Sequence, residues 1–375
     1  MALLADMTGP NAGEGVRARA GRENFFTPLR LLFALMVVAG HAFAISYGDA
    51  SREPAIFFDY TASYLAVNLF FIASGFLVTG SMLHRSDVCD FTAARLLRIY
   101  PALIVHVALV MLVFGPLASS LPISAYLSDP SLWMQPFKVL SFADTQMVLP
   151  AAFEANGEPY ASVPLWTLRY EMLCYGATLL AFSLGLMRKR WMMLAQFVLP
   201  AMIWMLGQSA GLFEQLPTTA ENAVRFGMAY GLGAAIYAYR DRLSFRLLSF
   251  PVLIAACFAS QATVVIEVAV NLLLATTIMF AAFVRVPRLN ALQRLDDLSY
   301  GLYIYHWVVM QLLFHWMPGL GVAELFALGI GPIIALAWLS WTFVEKPMLA
   351  HKQTFGTWLR FGRGEAPKLP VTLAD

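Results

Sequence analysis

Charge is scarce in this 375-residue chain: Asp, Glu, Lys and Arg make up 13% of it, against 59% hydrophobic residues. A soluble domain normally carries roughly 25% charged residues, so an ordinary water-soluble globule is excluded. The net balance of +2 gives no basis for nucleic-acid binding, which needs a basic surface. The three cysteines, Cys89, Cys174 and Cys257, make neither a metal-ligand spacing nor an even disulfide framework. No metal site and no bound cofactor is therefore expected. Gly-x-Ser-x-Gly, a P-loop, His-Glu-x-x-His and a Gly-rich dinucleotide turn are all missing. Internal repeats are missing too.

What the chain has in quantity is apolar length. Runs of about 20 residues, enough to cross a bilayer core, recur through most of it and predict an all-α polytopic membrane protein. About ten transmembrane helices in one bundle are expected, near 29–47, 62–83, 99–118, 165–187, 191–209, 223–239, 248–264, 265–284, 298–316 and 322–345. All but four of the 25 Lys and Arg residues fall on one side of this map, the exceptions being Arg52, Lys138, Arg169 and Arg225. By the positive-inside rule both termini are cytoplasmic.

Residues 1–24 form a polar leader carrying Arg17, Arg19 and Arg22. Ala42-Phe43-Ala44 is similar to a signal-peptidase site, but leader and first apolar run are too long for a cleaved signal, so a retained helix is expected. The membrane domain covers 25–347, and 348–375 is a short polar cytoplasmic tail. One long extracytoplasmic loop, 119–164, is rich in Pro, Ser and Asp. Its Trp133, Phe137, Phe142 and Phe153 predict that it packs over the outer face.

Ionisable groups at membrane depth are expensive and normally face a partner or a cavity. Arg30 and His41 sit in the first span, on one helix face and about 16 Å apart along its axis. They read equally as a snorkelling anchor with a packing imidazole, or as a functional pair. Arg95-Leu-Leu-Arg98 puts two guanidiniums on one face at the cytoplasmic mouth. The pair is either a topological anchor or a fork for a polyanion such as a pyrophosphate. Asn68 to Phe76 contains Asn68, Ser74 and Gly75, read as close helix packing or, less often, as backbone approach to a ligand. Trp166 opens the fourth span, and Glu171 lies one to two turns into it, free to orient an imidazole or to pair with Arg169 or Arg225. Asp297 to Trp307 gathers Ser299, Tyr303 and a second intramembrane imidazole, His306. His84, His315 and His351 are expected in solvent, and His106 in helix packing.

Taken in order, Arg30 with His41, Asn68–Phe76, Arg95-x-x-Arg98, Trp166-Thr-Leu-x-x-Glu171 and Ser299-Tyr-x-x-Tyr-x-x-His306-Trp resemble the acyltransferase-3 family of integral-membrane O-acyltransferases. The likeness runs from about residue 24 to 347. It implies a ten-helix bundle in the cytoplasmic (inner) membrane. It also implies transfer of an acyl group, commonly acetyl, from cytoplasmic acyl-CoA to a hydroxyl of a glycan or lipid-linked saccharide, with acetyl-CoA as substrate and lipid as surroundings. Arg95 and Arg98, with Arg30, are then expected at the donor, and His41 as catalytic base with Glu171 as its helper. Asn68, Ser74, Trp166, Ser299, Tyr303 and His306 are candidate cavity-lining residues. The chain looks like the standalone type, without a hydrolase-like domain after the bundle. A proton-coupled transporter is the competing reading, since buried His, Glu and Arg also build proton relays. It calls for repeats or broken helices in matching halves, which this sequence lacks. A non-catalytic scaffold would leave His41, Glu171 and His306 without a reason to be buried.

Overall fold

A computed structural model describes residues 24–243, 249–284 and 286–360. The expected leader, apart from Asn24, and the end of the expected tail lie outside the described residues. Apolar surroundings leave backbone amides no partner but each other, and a helix satisfies them within one segment. The described chain is accordingly mostly helical, the main exception being the irregular stretch 141–163. Its one sheet is the two-stranded antiparallel ribbon β1 (Ala55–Phe57) and β2 (Tyr60–Thr61).

Among the described residues six helices are long and apolar enough to cross a membrane: α1 (Phe26–Tyr47), α2 (Ala62–Arg85), α3 (Val88–Ala118), α7 (Arg190–Ser209), α10 (Ile266–Phe283) and α12 (Val322–Ala350). Between α3 and α6 lie two short helices, α4 (Ile123–Ser128) and α5 (Pro130–Leu140). The remaining expected spans are occupied by α6 (Leu168–Ser183), α8 (Thr218–Ala238), α9 (Ser249–Ser260) and α11 (Ser299–Trp316), which are shorter or more polar. A last helix, α13 (Lys352–Leu359), follows α12.

Two boundaries differ from expectation in ways that matter for the site. The third helix begins at Val88 rather than near residue 99, because the Asp87 side chain caps it by accepting from Asp90 N at 2.8 Å. Arg95 and Arg98 therefore ride on a helix. The last long helix continues past residue 345 to Ala350 through a π turn at Trp341–Glu345. A matching π turn interrupts α3 at Val110–Phe114. Such a turn inserts a residue without ending the helix and re-aims the side chains beyond it. The expected polar tail also docks: Arg360 pairs with Asp87 at 3.2 Å and Asp90 at 2.6 Å, holding α13 against the start of α3.

The 119–164 segment divides. Phe153 is fully buried, but Trp133 and Phe137 are exposed, the latter at 71%, so two of the four aromatics expected to pack do not. The reason is that α5 runs alongside α3 rather than across the outer face. Tyr126 Oη donates to Met111 O at 2.9 Å and Tyr100 Oη to Leu140 O at 3.3 Å, two points on α3 about 16 Å apart. Trp133, Met134 and Phe137 then face outward from α5, as expected of lipid-facing side chains.

Close helix approach is set by glycine. A Cβ on Gly75 would lie 2.0 Å from Tyr230 O, and one on Gly233 the same distance from Ile72 O. The packing reading of Gly75 holds: α2 and α8 touch backbone to backbone. Gly227, on the same helix as Gly233, has open space around it. Gly233→Ala should force the two helices apart at a cost of about 1–3 kcal/mol, the usual overpacking penalty. Gly227→Ala should be neutral or stabilising by about 1 kcal/mol through helix propensity. Thermal melting of the purified protein in detergent should rank the two variants in that order.

Candidate active site

A slender cavity of about 350 Å³ runs inside the bundle along α2, from Arg85 at one end to Val67 at the other. Eighteen helical residues span roughly 27 Å. Seven of the expected residues line it: Arg30, Ser74, Arg95, Arg98, Glu171, Ser299 and Tyr303. They come from α1, α2, α3, α6 and α11, so the sequence motifs are widely spaced pieces of one wall.

The four carriers of charge at its middle form a closed set. Asp297 Oδ2 accepts from Arg30 at 2.6 Å and from Arg98 at 2.8 Å, and Arg98 reaches Glu345 Oε2 at 3.2 Å. Glu345 is 1% exposed, and its other oxygen accepts from Ser340 Oγ at 3.0 Å. The π turn in α12 is what delivers Glu345 to this point. Burial pushes the Asp297 carboxyl up, but Arg30 and Arg98 outweigh it and hold the group at about 2. Two cations and two anions cancel, so Arg98 is committed to protein carboxylates.

Arg95 is differently placed. Its guanidinium lies 5.6 Å from the Tyr175 ring and 5.9 Å from that of Phe91, its Nε is buried without a partner, and among the described residues no carboxylate pairs with it. Arg85 and Lys352 line the same end of the cavity. Arg85 Nε donates to Ser81 Oγ at 3.1 Å. Among the described residues no ion pair neutralises these three cations, which gather at one mouth. Sequence reading missed Arg85 and Lys352, which look like span-end anchors until the tail is seen to fold back.

Neither imidazole lines this cavity. His41 and His306 lie beyond its narrow end, where Tyr303, whose ring centroid is 6.2 Å from that of His306, joins Thr167 Oγ1 at 2.6 Å. His41 Nδ1 and His306 Nε2 are 2.7 Å apart. His306 is fully buried, whereas His41 keeps some accessible surface, and Trp307 meets the His41 ring edge-on at 5.2 Å. Above the pair, a strap of residues 156–162 is pinned to α11. Trp307 Nε1 donates to Tyr160 O at 2.8 Å, and Asn156 Nδ2 donates to Gln311 O at 3.1 Å.

Several expectations are corrected. Glu171 does not serve His41: it accepts from Tyr175 Oη one turn along α6, and the partner of His41 is His306. Asn68 does not line the cavity. It accepts from Arg225 Nε at 3.0 Å and donates to Glu267 at 3.0 Å, bridging two buried charges that join α2, α8 and α10. Trp166 packs against Tyr170 and Phe226, and its neighbour Thr167 faces the cavity instead. His315 is half-buried beside Phe153 rather than in solvent. His106 packs as expected, 3.2 Å from Ser162 Oγ of the strap. Among the described residues no group of His, Cys, Asp and Glu has the arrangement of a metal site.

A bundle with several membrane-crossing helices and its ionisable groups turned inward is a multi-pass membrane protein built around an interior site. A family model described as an acyltransferase domain matches residues 24–342, and the chain belongs to the acyltransferase-3 family: it is an enzyme that transfers acyl groups. It is similar to a protein named Nodulation protein 10 from Rhizobium leguminosarum bv. viciae, 28% identical over 88% of this chain and 94% of that one. It is also similar to an O-acetyl transferase of Shigella phage Sf6, 26% identical over 88% of this chain and 97% of the relative. No solved structure matches.

The charge set makes a stability prediction. Asp297→Asn leaves Arg30 unpaired and Arg98 with Glu345 alone, which should cost about 3–5 kcal/mol, as removing one partner of a buried pair does. The native carboxyl being depressed, its contribution is complete above the ordinary carboxylate range and is lost only as pH falls toward about 2. Melting curves should therefore show the variant gap at pH 7 and at pH 5 alike.

Proposed function

We propose that the enzyme moves an acyl group, acetyl in the first instance, from cytoplasmic acetyl-CoA to a hydroxyl of a glycan or lipid-linked saccharide at the outer face of the inner membrane. On this reading α1–α3 and α6–α12 give ten spans with both termini cytoplasmic, as the distribution of Lys and Arg supports. The printed name of the phage relative, an O-acetyl transferase, favours acetyl and a hydroxyl acceptor.

The observation that carries the reading is the cavity, which has cations at one end and an imidazole pair just past the other. Coenzyme A is a long thin arm ending in phosphates that cannot enter hydrocarbon. Arg85, Arg95 and Lys352 hold those phosphates at the cytoplasmic mouth, and the arm threads along α2 past Ser74 and Glu171. Arg30 and Arg98, neutralised by Asp297 and Glu345, shape the wall rather than grip the donor. At the narrow end the thioester meets His41, which takes the proton of the acceptor hydroxyl as its oxygen attacks the carbonyl carbon. The test is thiol release from acetyl-CoA by purified protein with and without candidate glycans. Acceptor-dependent release is expected, and its absence across polysaccharide, peptidoglycan and lipid-linked acceptors would remove the proposal.

The two arginines of Arg95-x-x-Arg98 should separate in their effects. Losing a charge-assisted contact to phosphate is worth about 1.5–3 kcal/mol, or roughly 10- to 150-fold in affinity. Arg95→Ala and Arg85→Ala should each weaken coenzyme A binding by that range with melting unchanged. Arg98→Ala should lower the melting temperature first. Calorimetric titration beside melting curves distinguishes the two kinds of variant.

His41→Ala and His41→Gln should both abolish turnover while donor binding stays near wild type. General-base catalysis contributes about 10²- to 10⁴-fold, and the loss should appear in kcat rather than in KM for acetyl-CoA. An active His41→Gln enzyme would take His41 out of the mechanism.

A further inference from the structure

The hydrogen-bond chain through His306 determines which nitrogen of His41 is free. His306 Nδ1 lies 3.0 Å from Leu302 O, one turn back on α11. A carbonyl oxygen can only accept, so Nδ1 carries the proton. A neutral imidazole has a single N–H, which leaves Nε2 of His306 with a lone pair. That lone pair faces His41 Nδ1 at 2.7 Å. With an acceptor opposite it, Nδ1 of His41 must be the donor, and Nε2 of His41 is then unprotonated. The ring geometry agrees. The planes lie within 13° of each other and the centroids are 5.0 Å apart, the separation of two imidazoles joined edge to edge through a 2.7 Å N···N contact. Face-to-face stacking cannot combine those distances. Among the described residues neither imidazole has a carboxylate partner, so nothing there favours a doubly protonated His306 that would reverse the chain.

We propose that His306 is a positioning residue. Anchored on the Leu302 carbonyl, it holds His41 as the Nδ1–H tautomer and aims Nε2 at the acceptor hydroxyl. The proposal rests on the acyltransferase reading above and assigns the role that sequence analysis gave to Glu171. In the reaction, His41 Nε2 takes the hydroxyl proton while the hydroxyl oxygen bonds to the thioester carbon. The C–S bond then breaks, and Nε2–H returns that proton to the departing sulfur. His41 ends neutral, the acceptor is acylated and coenzyme A leaves as the thiol. Throughout, Nδ1–H stays with His306, whose neutral acceptor replaces the carboxylate that orients the base in a Ser-His-Asp triad. The arrangement suits hydrocarbon depth, where an extra buried carboxylate would need a counter-charge of its own.

The tautomer can be read directly in the full-length protein in detergent, using ¹⁵N-histidine. Six histidines give six ring signals, and the one lost in His41→Gln belongs to His41. In the wild type that signal should show a protonated Nδ1 and a bare Nε2. His306→Leu, which offers no acceptor, should release the ring to the Nε2–H form and cut kcat by about 10²-fold or more, with KM for acetyl-CoA within twofold. His306→Gln, whose carboxamide oxygen can accept from Nδ1–H, should recover part of the loss and keep the tautomer. A merely structural His306 would give no tautomer change and no rescue by Gln. A wild-type His41 protonated at Nε2, or a His306→Leu enzyme with undiminished kcat, would overturn the proposal with the acyltransferase reading intact. The wild-type spectrum needs no variant to fold. If the expected tautomer appears in a protein that releases no thiol from acetyl-CoA, the fault lies in the functional reading and not in the positioning.

Discussion

Charge buried between helices must be cancelled where it stands, and the Arg30–Asp297–Arg98–Glu345 set is where this bundle meets that demand. Three helices and the turn that leads into α11 are tied at one point because none of the four side chains can be left alone there. The cavity exists beside this knot. Its wall mixes apolar side chains such as Val67, Phe70 and Leu77 with the charges of the knot, which are held in place by one another. The docked tail contributes Lys352 to the same end, and Arg95, left without a carboxylate, supplies what the knot does not: a cation still available to something that enters.

Much of this was legible from the chain. Apolar period locates most of the helices within a few residues, the start of α3 excepted, because a bilayer fixes span length and the cost of charge fixes span ends. Seven site residues were identified and do meet, since intramembrane polar groups have few reasons to be present. What failed was partnership. The resemblance makes Glu171 a helper of His41, yet Glu171 accepts from Tyr175 Oη, one turn away on the same helix. Asn68 was given to the cavity and instead bridges Arg225 and Glu267. One sequence carries depth along a helix but not rotation about it, and contact depends on both. Glu345 was passed over for the same reason: only the π turn, invisible in composition, swings it inward.

The two imidazoles show the same limit at finer scale. Each was singled out, at a separation of 265 residues, and nothing in either motif says that they bond. Once they do, the rest follows from valence: one carbonyl, one proton per ring, and a single nitrogen left bare. The strap at 156–162 adds to the order of the pair by fixing α11 immediately beyond His306, through Trp307 and Gln311.

The cancelling of buried charge has an electrical consequence. Moving one elementary charge through a potential of 100 mV involves about 2.3 kcal/mol, which is how voltage-driven proteins couple to an energised membrane. Here Arg30 and Arg98 are balanced by Asp297 and Glu345, and Arg225 is joined to Glu267 through Asn68. These charge sets present no net charge for the field to pull. Those two sets sit in the field without leaning on it, and only charges outside them, such as Arg95, offer it a handle.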